Sequence, residues 1–209
     1  MKIDKHEQGS TGWQQARLGI PTASTMSRLV TASYKVSDSE GAREFVWEKL
    51  AEKTLGYAPA DVSTFGMSQG TLGEGEAVGW YELMTGQKVE SVGFCVTDDG
   101  RCGASPDGLI GEDNGIEIKC PAPHTHLKYL AAGVVPTEYR LQVQTCMYVT
   151  GRTAWTFVSY SRFFPPMIVH AHRDPKAQEA ITAALDLFWN RYAEAEAKLS
   201  EHIKNRASK

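Results

Sequence analysis

No stretch of the 209-residue chain approaches the ~20 consecutive apolar residues that span a bilayer, and the opening residues lack the apolar run of a secretory signal. The four cysteines (Cys95, Cys102, Cys120 and Cys146) form neither a C-x-x-C pair nor a zinc-ligand spacing. These absences argue against a membrane helix, a thiolate metal centre and a disulfide framework, and they point to a reduced, cytoplasmic protein with free thiols. Internal repeats and low-complexity linkers are also missing, which excludes a solenoid. A surplus of positive charge is missing too: the formal net charge is -3. That argues mildly against nucleic acid as a partner. However, phosphate affinity follows where charge sits, not its sum, and a bound metal neutralises carboxylates. Any basic face must then be local.

What is present is a hydrophobic content of 42%, enough for one sizeable core and a single domain over 1–209. Helical and strand-like patterns both occur, so the expected class is mixed α and β. Ser10 or Thr11 can cap a short helix ending near Gly19, and Thr22 the next, to about Val30. Ser39 precedes a helical stretch from Glu40 to Leu55, and another helix is expected from Met67 to Met84, ending at Gly86. Gly70, Gly73, Gly75 and Gly79 inside it suggest close packing against a neighbour. From Lys88 the texture turns β-rich. Val89–Thr97, Arg101–Ala104, Asp107–Ile110 and Ile116–Cys120 read as one antiparallel meander, stopped by Pro121 and Pro123. Helices are expected over 124–131 and 138–149, the second with Pro136 in its first turn, then strands at Thr153–Tyr160 and Met167–His172. A last helix from Asp174 to about Ile203 carries Ile181, Leu185, Phe188 and Tyr192 at helical spacing.

The segment that carries chemistry is Ser105-Pro106-Asp107 followed, nine residues on, by Glu117-Ile118-Lys119. Alternate side chains of a strand share a face, so Glu117 and Lys119 project together while Ile118 points into the core. The hairpin can bring Asp107 beside Glu117, and the Ile118 carbonyl is a further oxygen. Two carboxylates and a lysine at one sheet edge suit metal-assisted phosphodiester hydrolysis, because hard oxygen ligands select Mg2+ or Mn2+. A turn aspartate and a solvated cross-strand Glu–Lys pair are the plainer reading of the same letters. His124 and His126 fit an exposed loop better than a metal site, and His170 and His172 read as structural.

The flanking residues favour the chemical reading. The run Gly103-Ala104-Ser105-Pro106-Asp107-Gly108-Leu109, followed by Gly115-Ile116-Glu117-Ile118-Lys119-Cys120-Pro121, resembles the phage lambda exonuclease family, also called YqaJ-like viral recombinases, within the wider PD-(D/E)xK nuclease superfamily. Trp13-x-x-x-Arg17-x-Gly19-x-x-Thr22-Ala23-Ser24 is similar to the family's N-terminal motif. Glu74 falls at its helix-borne acidic position, and Gln142-Val143-Gln144, with Tyr139 before it, is similar to its glutamine motif. The four motifs run in order over roughly residues 13 to 160.

The resemblance implies a restriction-endonuclease-like core, a central mixed β-sheet flanked by helices. It implies Asp107, Glu117 and the Ile118 carbonyl as ligands of Mg2+, with two ions in play and Mn2+ as a substitute. Lys119 would be the catalytic lysine, and Glu74 would approach the second ion or its water shell. Arg17, Ser24, Ser105 and Gln142 would surround a 5′-terminal phosphate. The implied activity is 5′-to-3′ removal of one strand of duplex DNA from a phosphorylated end, releasing 5′-mononucleotides and leaving 3′ single strands for recombination. A homotrimeric ring, a single-strand annealing partner and a phage or prophage origin go with it. Lys35, Arg43 and Lys49 are candidates for the inner wall of such a ring. One departure is visible: the family's additional basic residue near the 5′ phosphate, in the loop after the second helix, has no clear counterpart around Tyr34-Lys35. Two rivals share the same letters: a site-specific or structure-specific endonuclease of the superfamily, and a non-catalytic DNA-binding recombination partner.

Overall fold

A computed structural model describes residues 1–58 and 64–207 of the chain. Its centre is a four-stranded mixed sheet in the order β4-β5-β6-β7, made of Gly108–Ile110, Asn114–Lys119, Ala154–Ser159 and Met167–His172. The β4/β5 and β6/β7 pairs are antiparallel, whereas β5 and β6 run parallel, with Glu117 opposite Phe157 and Lys119 opposite Ser159. A parallel pair needs a crossover. Here it is helical, α4 over Pro123–Ala132 and α5 over Thr137–Thr150. Pro136 stands at the N-cap of α5, one place before the first-turn position expected.

The expected meander is instead divided between two sheets. β2 (Cys95–Val96) and β3 (Gly103–Ala104) leave the central sheet, and β2 pairs with both β3 and β1 (Lys2–Ile3) in a separate three-stranded sheet. β-propensity and turn signals mark the strands themselves, but they do not say which sheet a short strand joins; that is a matter of tertiary partners. β1, two exposed residues, gives no pattern to read.

Four helices and a 3-10 turn complete the chain: α1 (Thr11–Ala16), the 3-10 turn (Ala23–Arg28), α2 (Glu40–Leu55), α3 (Thr64–Thr85) and α6 (Pro175–Ala207). Ser39 caps α2 by accepting from the Ala42 amide, and Gly56, at φ 74°, ends it in the left-handed conformation glycine tolerates. Among the described residues no helix is long and apolar enough to cross a membrane.

The side-chain alternation of β5 divides the core. Ile116 and Ile118 join Val158 on one face and pack under Ala77 and Tyr81 of α3. The opposite face holds Trp155 and Phe157, covered by α5 and then α6 through Met147, Ile181, Leu185 and Phe188. Full burial of each such side chain is worth roughly 1.5–3 kcal/mol. α5 is buried on nearly every side, since the small sheet, the 3-10 turn, β6 and α6 all pack on it. Of the α3 glycines, Gly73 does meet a neighbour, its Cβ position lying 2.8 Å from Cys120 Sγ, but Gly75 and Gly79 face open space. The surroundings of Gly70 lie outside the described residues.

Candidate active site

β5 ends at the centre of the site. Glu117 is almost wholly buried, and its Oε1 accepts from Gln142 Nε2 at 2.6 Å and pairs with Lys119 Nζ at 2.5 Å. Gln142 reaches it because α5 lies directly over this face of the sheet. Glu117 Oε2 is buried with no hydrogen-bond partner among the described residues. Asp107 stands just before β4, and its Oδ2 accepts from the Ile118 amide at 2.6 Å. That amide points to the β4 side of β5, where β4 has already ended. The Ile118 carbonyl shares that side, as N–H and C=O of a strand residue do.

The charges are poised against one another. Burial, then the neighbouring Glu117 charge, pushes Asp107 well above the ordinary aspartate value, with Lys119 and the Ile118 amide pulling the other way. Burial likewise raises Glu117, opposed by Lys119 and Gln142. Burial works against charge on Lys119, yet the two carboxylates outweigh it and hold its pKa above the usual lysine range. The Lys119 ammonium also lies 5.2 Å from the Tyr139 ring centroid, and that ring stacks on Phe157. An unpartnered buried oxygen and two carboxylates disfavoured by burial describe a place short of positive charge. Oxygen-only donors fit a hard divalent cation that keeps part of its water shell. Among the described residues no group of three or more His, Cys, Asp or Glu side chains converges on one point, so Asp107, Glu117 and the Ile118 carbonyl are the donors on hand.

Beside the carboxylates lies a pocket of about 160 Å³ lined by Arg17, Ser24, Ser105, Asp107, Glu117, Lys119 and Gln142, together with Gln8, Trp13, Thr22 and Ala23. Seven residues expected from the sequence thus share one cavity. Ser105 Oγ accepts from Arg17 Nη1 at 2.7 Å and from Trp13 Nε1 at 3.0 Å. The Arg17 guanidinium lies 4.2 Å from the Trp13 ring centroid and 5.4 Å from that of Phe94. Burial lowers its pKa to about 10, which leaves it cationic at neutral pH. Ser24 is exposed and 3.2 Å from Thr22 Oγ1. Gln142, expected at a phosphate, lines this pocket and gives one of its two amide N–H donors to Glu117. Glu74 lies apart from this pocket, in a wider groove of about 660 Å³ that it shares with Asp107 and with Lys5, His6 and Gln8.

Trp13 is legible as a motif letter but not as a wall of the pocket. Its i, i+4 spacing to Arg17 is the signal that puts both on one side of a helical turn. Gln8, whose Nε2 donates to Pro106 O at 2.8 Å, carries no signal at all. His124 and His126 lie not in an exposed loop but on α4. His126 is fully buried, with Nδ1 2.8 Å from Ser159 Oγ and Nε2 3.0 Å from Pro165 O. It ties the crossover to β6. Exposed His170, with Nδ1 3.2 Å from Thr156 Oγ1, and exposed His172 lie on β7, as expected. Of the expected basic wall, Arg43 is committed to Asp38 and Lys49 is buried against Glu52, which leaves Lys35 exposed.

Residues 12–153 match the model of the YqaJ-like viral recombinase domain. The structure resembles an alkaline exonuclease from Laribacter hongkongensis, at 31% identity and a TM-score of 0.79, covering 95% of this chain and 98% of that one. The same enzyme in complex with dAMP superposes equally well. A phage-related exonuclease from Haemophilus somnus 129PT shares the fold at 15% identity and a TM-score of 0.63, over 86% of this chain and 96% of that one. No curated protein matches the chain. With the family match spanning most of its length, the chain belongs to the YqaJ-like viral recombinase domain family.

Proposed function

We propose that this protein is a Mg2+-dependent 5′-to-3′ exonuclease that degrades one strand of duplex DNA from a 5′-phosphorylated end. The observation that carries the reading is the sharing of one small cavity by a carboxylate–lysine centre and an arginine–serine anion site. Its volume of about 160 Å³ equals roughly five waters at ~30 Å³ each, room for a phosphate group but not for a base pair. A strand end or an unpaired stretch fits such a pocket, which shares Asp107 with the wider groove. The likeness to an alkaline exonuclease solved with dAMP, a 5′-mononucleotide, supports the same product class.

Asp107, Glu117 and the Ile118 carbonyl would hold Mg2+, with Glu74 across the groove toward a second ion. When bound, Mg2+ supplies an acidified, oriented water and stabilises charge on the phosphate. The chain's own residues do the rest. Arg17 offers a planar two-donor fork, beside the Ser105 and Ser24 hydroxyls, to the terminal phosphate. Gln142 donates to Glu117 and fixes the direction of its carboxylate. Lys119, held cationic by both carboxylates, stands as a point charge for the oxygens of the phosphate under attack. The homotrimeric ring and the annealing partner are part of the proposal on the strength of the family resemblance.

The test uses a linear duplex phosphorylated at one 5′ end, each strand labelled differently, alongside closed circular DNA. Loss of the phosphorylated strand alone, abolished by chelation and by Lys119→Ala, is the expected result. Nicking of the closed circle would replace the reading with an endonuclease, and binding without turnover would end the enzymatic one.

A further inference from the structure

The Arg17 cation lies close to two aromatic rings of different origin. Trp13 comes from the same helical turn and lines the pocket, whereas Phe94 precedes β2, is fully buried, and is not among the residues that face the cavity. The far end of the Phe94 ring rests on Gly103. A Cβ added there would lie 2.0 Å from Cζ, 2.5 Å from Cε2 and 2.9 Å from Cε1. The ring can occupy its place because residue 103 has no side chain.

Gly103 is itself pinned. It pairs with Val96 across the small sheet, bridges to Thr22 and donates its amide to Pro21 O at 3.0 Å. Two residues on, Ser105 presents its hydroxyl to the arginine. The segment from Gly103 to Ser105 thus sets both the seat of Phe94, beside the guanidinium, and the oxygen at its fork. The small sheet, which buries Cys95 and Ala104 in the main core, also serves as a jig for the anion pocket.

We propose that Phe94, seated on Gly103, is a positioning residue that fixes the direction of the Arg17 fork and so sets the enzyme's preference for a phosphorylated strand end. The proposal rests on the exonuclease reading above. Phe94 meets no substrate and acts through Arg17. A cation partly withdrawn from water gains most from an aromatic face, and a guanidinium free to swing loses the two-donor match to a phosphate. A 5′-hydroxyl end presents no such charge, so the contribution of Phe94 is confined to phosphorylated ends.

The experiment compares kcat/KM on duplexes with 5′-phosphate and 5′-hydroxyl ends for the wild type, Phe94→Leu, Phe94→Met, Arg17→Ala and the Phe94→Leu/Arg17→Ala pair. Taking the ratio within one preparation cancels any difference in the folded fraction. The phosphate-to-hydroxyl ratio should fall roughly two- to thirtyfold in the Phe94 variants, mainly through KM, and further in Arg17→Ala. The double variant should fall no lower than Arg17→Ala alone, as it must if Phe94 acts through the arginine. An unchanged ratio in both Phe94 variants, with Arg17→Ala still lowering it, would overturn the positioning role and leave the end-recognition reading standing. Additive losses in the double variant would overturn it as well. A wild type indifferent to the end phosphate would remove that reading, and this proposal with it.

Discussion

Asp107 hydrogen-bonds the main chain of the residue it would join in holding a metal: its carboxylate takes the Ile118 amide at 2.6 Å, in the place where a longer β4 would have put a carbonyl. The bond aligns the two oxygen donors in advance, but it also keeps a carboxylate in a buried site beside Glu117.

That arrangement sets a pH dependence for the metal-free protein. Both carboxyls titrate above their ordinary values because of burial first and, for Asp107, the Glu117 charge next. A raised carboxyl pKa means that the folded state holds its proton more tightly than the unfolded chain. The resulting stability is present below the ordinary carboxylate range and is lost as pH rises through the raised folded values. In chelator, Tm should therefore fall on going from about pH 4 to about pH 7, beyond any trend in Asp107→Asn, in which the amide oxygen still accepts from Ile118. Thermal melts across pH test this, and an identical slope for the two proteins would count against it. Asp107→Asn should also be more stable than wild type at neutral pH and inactive.

Gln142 lines the anion pocket and also donates to Glu117, so its supporting role for that carboxylate can be tested. Its removal leaves a buried carboxylate oxygen with Lys119 alone, and a hydrogen bond to a charged group is worth ~1.5–3 kcal/mol. Gln142→Ala should lower kcat by about ten- to a hundredfold, with a smaller change in KM. Steady-state kinetics that showed the loss in KM alone would return the residue to phosphate binding.

His126 acts on stability and not on chemistry. His126→Ala empties a fully buried site and leaves Ser159 Oγ and Pro165 O without their partner, so a loss of about 2–4 kcal/mol is expected. Urea unfolding measures this, while activity per folded molecule at low temperature should stay near that of wild type.

The thiols should be inert in the folded protein. Cys95, Cys102 and Cys146 are buried, and burial pushes the Cys95 and Cys102 thiols up to about 11 and about 12. Half-buried Cys120 is held up to about 11 by burial, then by the Glu74 and Asp107 charges. The thiolate is the reactive form, so alkylation at neutral pH should be slow for Cys120 and slower for the rest. All four should react together on denaturation. Rapid modification of any thiol in the native protein would contradict the packing.

Much of this fold is legible in the letters because its signals are local. Ser39 and Gly56 bracket α2, and the Val/Ile/Phe/Trp runs mark β6 and β7. The Asp107, Glu117 and Lys119 set is legible for the same reason: a hairpin with period two leaves their relation little freedom. What escapes is set by distant partners. β2 and β3 look like the start of the central meander but form the small sheet, in which residues 2–3 pair with β2 and β2 pairs with β3. His126 looks like a loop residue until Ser159 and Pro165 close around it. Phe94 looks like an ordinary strand aromatic, and its importance depends on an arginine 77 positions earlier (94 − 17).

The long reach of these contacts has a consequence during synthesis. Domains fold as the chain emerges, N-terminal parts first, yet Arg17 waits for Ser105, Asp107 for Ile118, and Glu117 for Gln142. β5 then lies between β4 and a parallel partner, β6, that is not complete until Ser159. A fragment that ends between Gln142 and Ser159 holds every candidate site residue but lacks part of the parallel partner of β5, and its centre is expected to stay unassembled. The topology thus ties assembly of the candidate centre to the making of β6, and a shorter fragment is expected not to cut DNA.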